Sequence, residues 1–242
     1  MDPLKHRITE YWTQRADAFS DQRIRELADP KRERWLAEFR RYLPAERTPL
    51  RVLDLGTGTG YFAFLFAAEG HEVTGIDLTE SMIEKAKETA RHLGLDAAFY
   101  VMDAETPELE EAHFDVLVTR NLTWTLPHLA TAYHEWYHLL KPGGVLINFD
   151  ADYANYAESA DPDKLPENHA HKLISPELTE ENDAITMEVA AYQQPRPQWD
   201  VKLLLDAGFT EIRIDSGVWK RIYSEIDEFY NPTPIFTIAA YK

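Results

Sequence analysis

The stretch "VLDLGTGTGYFAFLFAAEG", residues 52–70, constrains this chain more than any other. A short apolar run predicts a strand. Gly56, Gly58 and Gly60 then fall within five residues, and an apolar run of helical character follows over 60–69. A strand, a glycine turn and a helix set a ligand at the helix N-terminus, beside the C-terminal ends of parallel strands. Glycine at such a turn permits positive φ and close approach of backbone to ligand. The spacing is G-x-G-x-G, with Tyr61 next, whereas the dinucleotide loop reads G-x-G-x-x-G. No Gly-Lys-Ser/Thr follows, which excludes a P-loop.

The rest of the chain repeats the alternation. Residues 4–43 predict one or two helices, interrupted near "ADP" at 28–30. "RVLDL" (51–55), "HEVTGID" (71–77), "AAFYVMD" (97–103), "FDVLVTR" (114–120) and "VLINFD" (145–150) predict strands. "TESMIEKAKETARHLG" (79–94) predicts a helix whose apolar face is Met82, Ile83, Ala86, Ala90 and Leu93. Ser81 and Glu84 fit a capping box at its start, and Gly94 fits its stop. "LATAYHEWYHLL" (129–140) predicts another helix, closed by "KPGG". Residues 151–198 break the rhythm with prolines and acids; a segment that long is functional or carries helices of its own. A helix over 200–209 and strands over 210–216 and 234–242 complete the chain. Apolar strands alternating with helices imply an α/β fold, a mostly parallel sheet covered on both faces.

Charge narrows the partners. With 25 basic and 42 acidic side chains the net charge is −17, so no nucleic-acid partner is expected, since such binders need a basic face. The basic stretch "KRERWLAEFRR" (31–41) reads as a solvated amphipathic helix with Trp35, Leu36, Phe39 and Leu43 inward. Cysteine is absent, which removes disulfides, thiolate catalysis and Cys-based zinc sites. No apolar run approaches the ~20 residues of a membrane span, and "MDPLKHRITEYW" lacks the apolar centre of a signal peptide. A cytoplasmic protein, monomer or homodimer, with no membrane partner, is the expectation.

"VLDLGTGTG", then "VTGIDLTESMIEKAK", "YVMDAE", "FDVLVTRN" and "LLKPGG" together resemble the class I S-adenosylmethionine-dependent methyltransferases of small-molecule type, strongly over residues 50–150. The resemblance implies a Rossmann-like sheet of seven strands, the last antiparallel. It implies a division into an N-terminal helical lid (1–49), a cofactor-binding core (50–150), an acceptor-cap insert (151–198) and the rest of the core sheet (199–242). It also implies S-adenosyl-L-methionine as cofactor. Gly56, Thr57, Gly58 and Gly60 would lie under its methionine part, with Asp54 supporting the amino group through water. Asp77 would accept from the ribose hydroxyls, a role compatible with capping the next helix. Leu78 and Met82 would flank the adenine, Asp103 with Ala104 would meet its amino group, and Asn121 would face the methionine end. The segment "ITEYWTQRADAFSD" resembles a lid in such enzymes, with Tyr11 over the cofactor, Trp12 toward the acceptor, and Phe19 and Arg15 near.

Methyl transfer is a direct displacement, so a catalytic triad is not required; a base is needed only when the acceptor must lose a proton. The loop after the fourth strand and the exit of the fifth should border the acceptor. Arg120, Trp124, Asp150, Asp152, Tyr153 and Tyr156 are the candidates there. Trp124 and the tyrosines could stack an aromatic acceptor or enclose a cation. Arg120 could hold a carboxylate or phosphate. His169 and His171 titrate near neutrality and, with Arg120 and Tyr153, are the catalytic candidates. His134 and His138, one helical turn apart with His128 near, read as surface residues, and no metal is expected. The acceptor is expected to be a small molecule methylated on oxygen or nitrogen, with sulfur and carbon open. The alternatives are a protein acceptor and a non-catalytic cofactor-binding module. No N-P-P-Y-like tetrad follows the fourth strand, and the loop spacing argues against a nicotinamide cofactor.

Overall fold

The computed structural model describes residues 2–44, 49–156 and 164–242, without the side chains of Asn155, Tyr156, His171, Ala190 and Tyr192. Two helices come first, α1 (Pro3–Ala28) and α2 (Lys31–Arg40). Alternation follows as β1 (Arg51–Leu55), α3 (Tyr61–Ala68), β2 (Glu72–Asp77), α4 (Glu80–Leu93) and β3 (Ala98–Val101). It continues through β4 (Phe114–Arg120), α5 (Leu129–Leu139) and β5 (Leu140–Ala151). The expected insert holds α6 (Tyr153–Tyr156), α7 (Pro176–Glu188) and short 3-10 turns, so it is not a bare loop. The chain ends in α8 (Gln198–Ala207), β6 (Glu211–Asp215), α9 (Val218–Ile222) and β7 (Ile235–Tyr241). The short α9 has no counterpart in the sequence expectation.

The seven strands form one sheet in the order β3-β2-β1-β4-β5-β7-β6. β1 to β5 run parallel, and β7 lies antiparallel between β5 and β6. The order reverses between β1 and β4. In open α/β sheets a ligand crevice lies at that reversal, outside the carboxyl ends of the strands.

Strand alternation divides the core. Val116 and Val118 of β4 join one cluster with α2, α3, α4 and α9, while Leu117 joins the other with α5 and α8. The first cluster centres on aromatic rings: Trp35, Phe39, Phe62 and Phe149 meet edge to face at centroid distances of 4.8 to 5.8 Å. Such pairs add ~0.5–1.5 kcal/mol each beyond the area they bury. The expected inward face of α2 is therefore correct: Trp35, Leu36 and Phe39 are buried.

Two local expectations need correction. The helix α4 starts at Thr79 with no side-chain cap bond, and Asp77 Oδ1 accepts the Thr79 N–H at 2.8 Å, so the Ser81/Glu84 capping box does not form. "KPGG" does not separate α5 from the fifth strand; β5 begins at Leu140 and carries that segment within it. Among the described residues no helix is long and apolar enough to cross a membrane.

Candidate functional site

At the carboxyl ends of β1 to β4 lies a cavity of about 640 Å³. The glycine loop forms its floor. Gly56 and Gly58 sit at φ +63° and +53°; a Cβ on Gly56 would stand 2.6 Å from the Leu122 side chain, and one on Gly58 3.3 Å from Phe19. The positive φ at both positions is what favours glycine, and a side chain at either would also crowd its neighbour. Gly60, by contrast, caps α3 with Phe64 packed over it, and does not line the cavity.

Two carboxylates tie the loop down. Asp54, at 2% exposure, accepts from Thr57 Oγ1 at 2.6 Å and from the Ala63 N–H at 3.0 Å, both on Oδ2. Burial pushes its carboxyl up to about 7, against those two bonds. Asp77 accepts the Gly58 N–H on Oδ2 at 3.0 Å and the Thr79 N–H on Oδ1 at 2.8 Å; burial raises its carboxyl as well. A carboxylate offers about four lone-pair sites, so acceptor capacity remains on both oxygens. Leu78, Met82 and Ala104 line the wall beyond it. Asp103 also lines the cavity, but Lys5 of α1 reaches its Oδ2 at 2.6 Å and Glu105 at 2.5 Å, tying the start of α1 to this end.

The roof comes from α1, which packs against α4 and α7. Tyr11 is buried, its ring edge-on to Trp12 at 5.2 Å, and its hydroxyl accepts from Arg15 Nη1 at 2.8 Å. Trp12 meets Phe19 at 5.6 Å. Arg7 pairs with Glu181 and Glu188 of α7.

The loop after β4 forms the far wall. Asn121 adopts φ +54°; its carbonyl accepts from Trp124 Nε1 at 3.0 Å, and its Oδ1 accepts from the Tyr153 hydroxyl at 3.2 Å. The Trp124 and Tyr153 rings lie 4.8 Å apart. Burial pushes the Tyr153 phenol well above its usual range. His169 is buried at the cavity edge, and its Nε2 donates to the Tyr230 carbonyl at 2.8 Å. The side chains of Tyr156 and His171 lie outside the described ones.

Two acceptor candidates stand elsewhere. Asp150 is fully buried, accepting from Thr123 Oγ1 and from the Trp124 N–H at 2.9 Å, with Arg196 Nη1 at 3.4 Å. Asp152 is also buried, 3.4 Å from the Arg196 N–H, and does not line the cavity. Arg196 in turn pairs with Asp200, whose carboxylate accepts the Tyr133 hydroxyl. These residues are a strut joining the insert to β5 and α5. His134 and His138 lie on α5 with rings 4.7 Å apart, and among the described residues no group of acids and histidines gathers as a metal site would.

The comparisons agree with this geometry. A family described as a methyltransferase domain matches residues 52–144. Residues 52–144 are thus similar to methyltransferase domains. The chain is 33% identical over 98 residues to a ubiquinone biosynthesis O-methyltransferase of Alkalilimnicola ehrlichii, 40% of each chain. It is 34% identical over 107 residues to a demethylmenaquinone methyltransferase of Thermus thermophilus, 43% of this chain and 49% of that one. These alignments thus span less than half the length of the curated relatives. A solved S-adenosylmethionine-dependent methyltransferase from Aquifex aeolicus shares the fold, with TM-score 0.56, 21% identity and coverage of 91% of this chain and 97% of that one. The segment that matches presents a positive-φ glycine cradle, a strand-end carboxylate with spare acceptor sites, and apolar Leu78 and Met82 beside it.

Sequence reasoning overlooked the inner end of the cavity. There Glu26 of α1, with no exposed surface, accepts from Arg23 and from Arg120 Nη2 at 3.1 Å, and Arg120 Nη2 also reaches the Tyr223 hydroxyl at 3.1 Å. Burial alone would raise the Glu26 carboxyl, but Arg120 and Arg23 hold it below its usual range. Arg120 is thus a cavity residue already engaged by an acid from α1. The signal lay in helix spacing: Tyr11, Arg15, Phe19, Arg23 and Glu26 recur on one face of α1, placing charge within an aromatic stripe.

Proposed function

We propose that this chain transfers a methyl group from S-adenosyl-L-methionine to an oxygen or nitrogen atom of a small molecule. The observation that carries the reading is one continuous cavity. It joins the glycine loop and Asp77 to an aromatic wall of Trp124, Tyr153 and Phe229 beneath α1, so donor and acceptor would share one space. Its volume is that of a small-molecule site, ~300–1,000 Å³. The names of the quinone-pathway relatives support a small acceptor, and the acidic net charge of −17 disfavours nucleic acid.

In this reading Asp77, Leu78 and Met82 hold the nucleoside, and the glycine loop with Asp54 holds the amino-acid end. When bound, the cofactor supplies a methyl on a sulfonium, displaced in line by the acceptor atom. The protein's contribution is orientation, worth ~7–11 kcal/mol in favourable cases. α1 acts as the lid, tied by Lys5 to Asp103 and Glu105 and by Arg7 to α7, and the insert acts as the acceptor cap. Exclusion of water follows from that cover. The raised Tyr153 phenol is a poor proton acceptor at neutral pH.

The test is calorimetric titration with S-adenosylmethionine and S-adenosylhomocysteine, followed by an acceptor screen that reads release of S-adenosylhomocysteine. Binding with turnover supports the reading. Binding without turnover of any acceptor would leave a regulatory module, and no binding by folded protein would remove the reading altogether.

A further inference from the structure

We propose that the inner end of the cavity takes an anionic group of the acceptor, a carboxylate or phosphate, between Arg23, Arg120 and the Tyr61 hydroxyl. The inference rests on the methyltransferase reading and adds the substrate class.

Charge is the first observation. Arg23 and Arg120 both line the cavity, with side-chain exposures of 14% and 11%, and both spend their acid contact on the same carboxylate, Glu26. Two guanidiniums against one carboxylate leave one positive charge uncompensated beside the cavity. Buried charge is costly unless paired, so the cluster is complete only with a second anion. Mutual repulsion agrees: burial lowers the Arg23 guanidinium, and Arg120 lowers it further.

Unused hydrogen-bond donors are the second. The Tyr61 hydroxyl is buried on a residue 4% exposed, lines the cavity and has no partner. Both cations lie over its ring, with Arg120 Cζ 5.2 Å and Arg23 Cζ 6.0 Å from the centroid. Arg120 Nε is likewise without a partner. An oxyanion between these groups would satisfy both orphaned donors and cancel the excess charge. Guanidinium forks suit planar carboxylates and phosphates.

The cofactor's own carboxylate is the competing source of the anion, and the experiment separates the two. Wild type, Arg23→Gln and Tyr61→Phe are titrated with S-adenosylhomocysteine. Each saturated complex is then titrated with inorganic phosphate and with benzoate. The expected result is that one or both anions bind the wild-type complex and lose tenfold or more in affinity in Arg23→Gln, with a smaller loss in Tyr61→Phe. S-adenosylhomocysteine affinity should stay within about twofold. Neither anion binding to the loaded wild type overturns the proposal, as does anion binding that survives Arg23→Gln. A tenfold loss of S-adenosylhomocysteine affinity in Arg23→Gln overturns it too, by assigning the cluster to the cofactor. If wild type binds no S-adenosylhomocysteine, the underlying methyltransferase reading fails first. Tyr61→Phe removes only a hydroxyl, so it serves should Arg23→Gln fail to fold.

Discussion

The two ends of the cavity are built on opposite plans. At the cofactor end, Asp54, Asp77 and Asp103 come from the ends of β1, β2 and β3, and most of their donors are nearby backbone N–H groups. At the inner end the partners are side chains from separate parts of the chain. Arg120 of β4 meets Glu26 of α1, 94 residues away, and Tyr223 past α9, 103 residues away. One end is held largely by backbone geometry, and burial opposes the charge of Asp54 and Asp77 there. The other is held by long-range ion pairing, with cations in excess. Backbone-held sites suit a ligand of constant shape, and side-chain clusters are the part that substrate choice can change.

If that contrast is right, the inner end is where one substitution costs most stability. Glu26→Ala leaves Arg23 and Arg120 buried with no carboxylate. Breaking a buried pair from one side costs ~3–5 kcal/mol. Urea unfolding should show a loss in that range. A loss below ~1 kcal/mol would mean that the guanidiniums are solvated and the two ends differ less than their geometry implies.

The cofactor end carries its cost in Asp54, and pH exposes it. The carboxyl ionises near its ordinary 3.8 in the unfolded chain and near 7 in the folded one. Between those values the native state holds a proton that the unfolded state has lost. Stability fully present below about pH 4 is therefore lost as pH rises through about 7, at most ~4 kcal/mol in all. In Asp54→Asn a single amide oxygen can accept both bonds now made to Oδ2. Denaturation curves of the two proteins should nearly coincide at pH 4, with the variant gaining on wild type up to pH 8. Parallel profiles would show Asp54 ionised throughout.

The contrast also explains what could be read from the sequence. The alternation of strands and helices, the glycine cradle and the carboxylates at strand ends follow from local pattern, since a strand, its turn and its acid are neighbours in sequence. Asp150 and Asp152 misled because position at the carboxyl end of β5 says which end of the strand they occupy but not which way they face; Arg196, distant in sequence, draws them into the strut. Arg120 was found as a residue but not as half of a pair, because Glu26 sits on a helix with no motif of its own. The start of α4 went wrong for a smaller reason: Asp77 serves the Thr79 N–H that a capping box would have left to other residues.

Asp77→Ala sharpens the cofactor side. It removes the acceptor expected for the ribose and releases the Gly58 N–H. Hydrogen bonds to a charged group contribute ~1.5–3 kcal/mol, so S-adenosylhomocysteine should bind ~10–100-fold more weakly. Unchanged affinity would mean that Asp77 only braces the loop.

Tyr153→Phe gives the smallest expected effect and bears on where chemistry is done. Its hydroxyl donates to Asn121 Oδ1, and burial pushes the phenol well above its usual range, so it is a poor proton acceptor at neutral pH. Removing it should cost ~1 kcal/mol of stability, one ordinary hydrogen bond, and change turnover by no more than a few-fold. General bases contribute ~10²–10⁴-fold, so a loss of that size would make Tyr153 the base. The far wall would then act on the acceptor chemically as well as position it. A small effect leaves Tyr153 as the residue that fixes Asn121, itself at φ +54°, between the cofactor end and the acceptor end.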